Sequence, residues 1–362
     1  MQRRRFLRAA GLAAAGSALA APAIAQNAPT IKWKLTSSFP PSLDLLFGGA
    51  KTFADAAREA SEGRIDIEVH PPGDIAGAVD ALDAVKDGRA DCAQTALNYW
   101  WGVEPALVFA TGAPFGMNAR QQIAFNQHGG GGDLVNETLV EHNIIALMAG
   151  NTGCEMGGWF RNEVKSVADF KGLKFRISGI AGKILQKLGV EPTAVARGEL
   201  AASLQSGALG AAAWVSPFDD EKLDLVKVAP NYYYPGWQQP NMATHIAINL
   251  AKWNDLPKNY QAILRQAAAI ANADMQAAYD ALNPPAVRRL VESGAKLKAL
   301  PPDVMEALWQ ATGEVYAETA RDNPKFQRMH DAYIAFRNDQ YLWWQVAEYP
   351  YDNFVIRQRA KG

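Results

Sequence analysis

Two spacings of apolar residues alternate along the first third of the chain. "TIKWKLTSSFP" (30–40) sets apolar and polar side chains at alternate positions, the period of a half-buried strand, and Pro40 and Pro41 close it. "DLLFGGAKTFADAAREASEG" (44–63) changes to helical spacing and stops at Gly63. "RIDIEVHPPG" (64–73) alternates again, and "AGAVDALDAVKDG" (76–88) returns to the helical period with Gly88 as its stop. This β-α-β-α order predicts an α/β sheet covered by helices.

The plan is echoed later. "DALDAVKDGRADCAQTAL" (80–97) and "GELAASLQSGALGAAAWV" (198–215) each read as an amphipathic helix, a Gly stop at Gly88 or Gly207, then an apolar strand. The first runs out at "NYWWG" (98–102) and the second at "WVSP" (214–217), so each strand delivers aromatic side chains to its end. Two such copies suggest two similar lobes facing one cleft, because ligands of open α/β sheets sit beyond the strand ends. "GLKFRISG" (172–179) is a further short strand that ends at Gly179, with a helical pattern directly after it. It puts Arg176 where a sheet meets a helix. Toward the C-terminus the pattern becomes helical, in "DLPKNYQAILRQAAAIANADMQAAYDALNPPAVRRLVESG", "PDVMEALWQATGEVYAETARD" and "KFQRMHDAYIAFRNDQYLWWQVAEY".

The N-terminus changes the picture first. Arg3, Arg4, Arg5 and Arg8 precede an Ala-rich run and "APAIA", so residues 1–25 read as a signal peptide of twin-arginine type, cleaved after Ala25. The expected destination is the periplasm. The whole chain of 362 residues carries a net charge of −1, and loss of those arginines makes the remainder more acidic, which argues against nucleic acid. The chain is long for one core. Cys92 and Cys154 read as two small buried thiols rather than a disulfide scaffold.

Catalytic chemistry is scarce. The five histidines lack metal-ligand spacing, and neither a G-x-S-x-G elbow nor H-E-x-x-H occurs. "HGGGGD" (128–133) lacks the Lys-Ser/Thr of a phosphate cradle and reads as close backbone packing before a helix that Asp133 caps. Asp219, Asp220 and Glu221 read as helix caps. Binding chemistry is better represented. Asn151 and Glu155 stand in a Gly-rich apolar stretch, Trp214 ends a strand, and "NYYYPGWQQPN" (231–241) is a Pro-stiffened aromatic loop of the kind that walls pockets.

Together, "TSSFPPSLDLLFGGA", "GNTGCEMGGWFR", "GLKFRISGIAGKILQKLG", "WVSPFDDEKL", "KVAPNYYYPGW" and "AEYPYDNF" resemble the periplasmic solute-binding subunit of a TRAP transporter, in the branch that binds 2-oxo and 2-hydroxy monocarboxylates. The similarity runs through nearly the whole chain after the leader. It implies an α/β two-lobed clamshell with a long C-terminal helix, which closes on an organic acid and hands it to membrane permease subunits without chemistry. The implied division is 26–150 plus about 243–282 for the first lobe, 151–242 plus about 283–335 for the second, and 336–362 as a tail. By the same resemblance Arg176 pairs the substrate carboxylate and Asn151 hydrogen-bonds the ligand. Tyr99, Trp100 and Trp101 line the pocket, and Trp214 flanks the acid and offers its main-chain carbonyl. In this branch sodium or calcium bridges acid and protein.

The pattern departs from that branch at three positions: Glu155 stands where Gln is usual, Ala213 where Glu is usual, and Gln239 where Glu is usual. Two readings follow. In one, Glu155, Gln239 and the Trp214 carbonyl form an oxygen site for the cation. In the other, no metal binds and Glu155 hydrogen-bonds a hydroxyl of the substrate. The aromatic stripe of Phe326, Met329, Tyr333 and Phe336, extended by Tyr341, Trp343 and Trp344, is more aromatic area than one lobe edge easily covers, and the resemblance implies a homodimer in which the long C-terminal helix swaps between protomers. Other readings of the whole chain are a periplasmic enzyme acting on small organic acids and a binding protein that feeds a sensor. The acid itself stays open among pyruvate, lactate and larger 2-oxo acids.

Overall fold

The computed structural model describes residues 29–195, 197–359 and 361, so the leader assigned to 1–25 lies outside the described residues. Among the described residues eleven strands form two sheets. The first holds β1 (Ile31–Ser37), β2 (Ile65–His70), β3 (Cys92–Thr95), β4 (Ile144–Asn151) and β10 (Ala243–Asn249), in the order β2-β1-β3-β10-β4. The second holds β5 (Gly158–Phe160), β6 (Lys174–Arg176), β7 (Glu191–Thr193), β8 (Ala211–Ala212), β9 (Asn231–Tyr234) and β11 (Lys296–Ala299), in the order β11-β9-β5-β8-β6-β7. The α/β class and the two-lobed plan are as expected.

Each sheet has one strand that runs against its neighbours, and both mark the crossing between lobes. β4 leaves the first sheet and leads through 152–157 into β5, which is antiparallel to β8 and β9. β9 leads through 235–242 into β10, which is antiparallel to β3 and β4. The crossing segments pair with each other: Thr152 N–H donates to the Met242 carbonyl at 3.1 Å and Glu155 N–H to the Gln239 carbonyl at 3.2 Å. Gly236 is required where they touch, since a methyl group there would overlap the Glu155 carbonyl. The Tyr234–Pro235 peptide in this ribbon is cis.

The helix Lys258–Glu292 is the third crossing and runs on through Pro284 and Pro285. Its Leu264, Ala268 and Ala271 are buried with Trp33, Phe53 and Ile246 against the first sheet, whereas Leu290 packs with Trp159 and Tyr232 in the second lobe.

The internal echo is real in three dimensions. Helix Ala81–Lys86 leads through Gly88 (φ +75°) to β3, and helix Leu200–Ser206 through Gly207 (φ +84°) to β8, each strand inside its sheet. The glycines of "HGGGGD" serve close packing, as expected: added methyls would overlap the Phe336 ring at Gly129 and the Phe125 ring at Gly131. The helix that follows is capped by Gly130 rather than Asp133, which stands in the first turn. Cys92 and Cys154 are unpaired, and only Cys92 is buried; Cys154 is exposed on the crossing loop, where the β4 ladder has ended.

The terminal helices divide in their packing. Phe326 and Tyr333 of helix Pro324–Trp344 are fully buried against Phe109 and Phe125, side chains of the first lobe, rather than on the second. Beyond Phe336 the apolar side chains lose that cover: Tyr341, Trp343, Tyr351, Phe354 and Ile356 are exposed. Among the described residues no helix is long and apolar enough to cross a membrane.

Candidate functional site

A cavity of about 590 Å³ lies between the two sheets, against the crossing ribbon. Arg176, the last residue of β6, reaches it. Phe175 is buried beneath the sheet, so the alternation of the strand sends the next side chain to the opposite face, where it is half-buried. Its Nη1 donates to the Ala213 carbonyl at 2.7 Å, and the guanidinium carbon stands 4.7 Å from the centre of the Trp214 ring. The remaining guanidinium N–H groups donate to none of the described residues. Burial draws the Arg176 pKa below its ordinary value, with Tyr99, Glu155 and Asp220 opposing. Among the described residues it is the one cationic side chain on the cavity wall.

The helix Gly179–Lys187 starts at once after this strand, and its first turn, Gly179 to Ala181, lines the cavity. Backbone N–H groups at a helix start favour an anion. Opposite, the first lobe contributes Tyr99 and Trp101 from the turn after β3. The Tyr99 ring is 41% exposed to the cleft, yet its phenol is crowded by protein; desolvation, then the nearby Glu155 carboxylate, push it up to about 12. Phe39, Leu43 and Met242 make an apolar wall between them.

Glu155 lies on the crossing ribbon, 5% exposed, and its carboxylate accepts no hydrogen bond from the described residues. Burial first and the Asp220 carboxylate second hold it well above the ordinary carboxylate range, while Arg176 pulls the other way. Gln239 lines the same cavity, and neither its side-chain oxygen nor the Trp214 carbonyl accepts a hydrogen bond from the described residues. A buried carboxylate, a free carbonyl and a side-chain amide on one cavity are the donors a hard cation takes. The residues present therefore fit sodium or calcium.

Two residues expected in the pocket are placed elsewhere. Trp100 is 3% exposed inside the first-lobe core and its indole donates to Asp83 at 3.3 Å. The 3-10 turn Leu97–Trp100 sends successive side chains in different directions, so Tyr99 and Trp101 face the cleft and Trp100 does not. Asn151 is fully buried behind the cavity wall, its amide donating to Asn241 at 2.9 Å and its oxygen accepting from Gly153 N–H at 2.9 Å. Of the other expected residues, Arg176, Tyr99, Glu155, Trp214 and Gln239 are brought together on one cavity.

Neither Asp219 nor Asp220 caps a helix with its side chain. Both are buried: Asp219 accepts from Tyr279 at 2.6 Å, and Asp220 from Trp159 at 3.0 Å and Tyr232 at 2.8 Å. Burial pushes the Asp220 carboxyl up to about 7 against these donors. Asn98 and the apolar wall were not foreseen, whereas Gln238 and Gln239 of the aromatic loop do line the cavity. Phe39 and Leu43 follow directly on β1, so reading every strand end as cavity wall would have found them.

The model for bacterial extracellular solute-binding proteins, family 7, matches residues 36–323. A monocarboxylate 2-oxoacid-binding periplasmic protein of Nostoc sp. (strain PCC 7120) is 40% identical over 361 residues, 98% of this chain and 99% of that protein. A TRAP transporter solute-binding protein from Bordetella bronchiseptica superposes with a TM-score of 0.88 at 37% identity, covering 92% of this chain and 99% of that one. It is a mixed-occupancy dimer with copurified calcium and picolinate in one site. A TRAP periplasmic solute-binding protein from Pseudoalteromonas atlantica, with bound sodium and pyruvate, gives 0.85 at 32% identity over 90% of this chain and 99% of that one.

Proposed function

Because the chain belongs to family 7 of the bacterial extracellular solute-binding proteins, we propose that it is the periplasmic receptor of a TRAP-type secondary transporter for a small 2-oxo or 2-hydroxy monocarboxylate. The observation that carries this reading is Arg176. It is a single half-buried guanidinium, the one cationic group on a described wall whose one acidic group is Glu155, with N–H groups free beside a helix start. A guanidinium gives a carboxylate two parallel N–H···O bonds. One such cation suits one carboxylate; the second acid group of a dicarboxylate meets Glu155 or apolar side chains.

Glu155, the Trp214 carbonyl and Gln239 would hold a sodium or calcium ion, which would supply positive charge to the substrate oxygens. Tyr99 and Trp101 close the pocket from the first lobe as the crossing ribbon bends. Permease subunits in the membrane then receive the acid. The test is calorimetric titration of the mature protein, with calcium present, against pyruvate, lactate, 2-oxobutanoate and succinate. At least one monocarboxylate is expected to bind and succinate is not. Succinate alone binding would overturn the reading.

The exposed apolar surface from Tyr341 to Ile356 supports a homodimer built through the tail. Surfaces of this kind on a monomer mark an interaction site. Apolar burial of helix Pro324–Trp344 on its own lobe ends at Phe336, and beyond it the contacts are polar or at the edge: Arg337 donates to the Phe115 carbonyl at 2.8 Å, and Arg120 meets the Trp344 ring and Glu348. Truncation after Asn338 is expected to give a monomer by light scattering that binds the same acid; a truncated dimer would refute this role.

A further inference from the structure

We propose that Asp220 is a positioning residue of the ligand site, fixing the Ala213–Val215 stretch so that the ring and carbonyl of Trp214 stand opposite Arg176. β8 ends at Ala212, so the sheet ladder gives out before the residues that face the ligand. Beyond it the stretch is held from both sides. On one side Arg176 Nη1 donates to the Ala213 carbonyl at 2.7 Å, and Ala213 N–H donates to the Arg176 carbonyl at 3.1 Å. On the other, Val215 N–H donates to Asp220 Oδ1 at 3.0 Å, and Met156 N–H donates to the Val215 carbonyl at 3.1 Å.

Asp220 is itself anchored. Its second oxygen accepts from the Trp159 indole at 3.0 Å and the Tyr232 hydroxyl at 2.8 Å, on rings stacked 3.9 Å apart in the lobe core. Three donors from three separate segments converge on one carboxylate that is 1% exposed and off the cavity wall. A carboxylate suits this place because both its oxygens accept. An amide does not: whichever way it turns, its NH₂ meets an N–H donor. The neighbouring Asp219 faces the opposite way, to Tyr279 and to Lys222, which also pairs with Asp44 of the first lobe.

The inference rests on the proposed binding reading, and the controls separate the two. Pyruvate and 2-oxobutanoate are titrated, with calcium, into wild type, Arg176→Ala, Asp220→Asn, Tyr232→Phe, Trp159→Phe/Tyr232→Phe and the triple variant that adds Asp220→Asn to that pair. Asp220→Asn is expected to bind about tenfold more weakly, the loss of one charge-assisted contact to the Val215 amide. Tyr232→Phe and the double variant should melt earlier but keep their dissociation constants within about twofold, because the Val215 bond survives. The triple variant restores affinity although it stays less stable: with both facing donors gone, the amide oxygen is free to turn to Val215 N–H. Wild-type affinity in Asp220→Asn, or a triple variant as weak as Asp220→Asn, would overturn the proposal. If Asp220→Asn does not fold, the double variant decides, and a tenfold loss there overturns it. Wild type failing to bind either acid, and lactate as well, would overturn the binding reading instead.

Discussion

Arg176→Ala is expected to weaken binding of a short monocarboxylate by roughly a hundredfold to ten-thousandfold. Two charge-assisted hydrogen bonds at about 1.5–3 kcal/mol each give that range. Closure of the cleft adds to it, since the acid would otherwise be buried without a partner. Arg176→Lys keeps the charge as a point and loses the fork, so an intermediate loss of roughly ten- to a hundredfold is expected. The empty protein responds differently. Burial already draws the Arg176 pKa down, so the guanidinium is partly desolvated, and the Ala213 carbonyl, the Trp214 ring and the Glu155 carboxylate only partly offset this. The alanine variant should therefore melt within a few degrees of wild type without ligand, and lose the ligand-induced rise. A hundredfold excess over the dissociation constant raises stability by about 2.7 kcal/mol in wild type. An alanine variant with an unchanged ligand-induced shift would remove Arg176 from the site.

Arg176 was legible because strand alternation fixes which face a side chain takes, and the following Gly and helical pattern located the strand end. The same argument failed for Trp100, where three successive aromatics fall in a 3-10 turn and no period of two applies. Asn151 also sits at a strand end, yet its amide is used up by Asn241, ninety positions away along the chain; a long-range pair of this kind leaves no local trace. Asp219 and Asp220 show the limit most clearly. An acidic pair ahead of a helix is the ordinary signature of a cap, and only tertiary packing brings Trp159, Tyr232 and Tyr279 to it. β11 escaped the reading because "KLKA" is a short edge strand with three of its four residues exposed, too polar to signal burial. The sheets, the echo and the crossing helix were legible, because burial of whole faces repeats along the sequence and single hydrogen bonds do not.

Removing divalent ions with a chelator is expected to weaken monocarboxylate binding by about a hundredfold, and added calcium to restore it. The argument starts from Glu155. Its carboxylate is 5% exposed, accepts no hydrogen bond from the described residues, and is held toward the protonated form by burial and by Asp220. A buried carboxylate in that condition is unfavourable unless a cation compensates it. Arg176 contributes in part, but on the proposed reading its free N–H groups are committed to the substrate. A hard cation set among Glu155, the Trp214 carbonyl and Gln239 would relieve Glu155 and attract the acid together. Glu155→Gln then has opposite effects on the empty and liganded protein. Without metal the variant should be more stable than wild type, because a neutral amide of the same shape replaces an uncompensated charge. With substrate it should bind weakly whether or not calcium is present, the calcium effect shrinking to within about threefold. If neither chelation nor replacement of sodium by an organic cation in the buffer changes wild-type affinity, Glu155 serves the substrate directly. Its glutamine variant should then favour 2-oxo acids over 2-hydroxy acids, since the charged acceptor for the hydroxyl has gone.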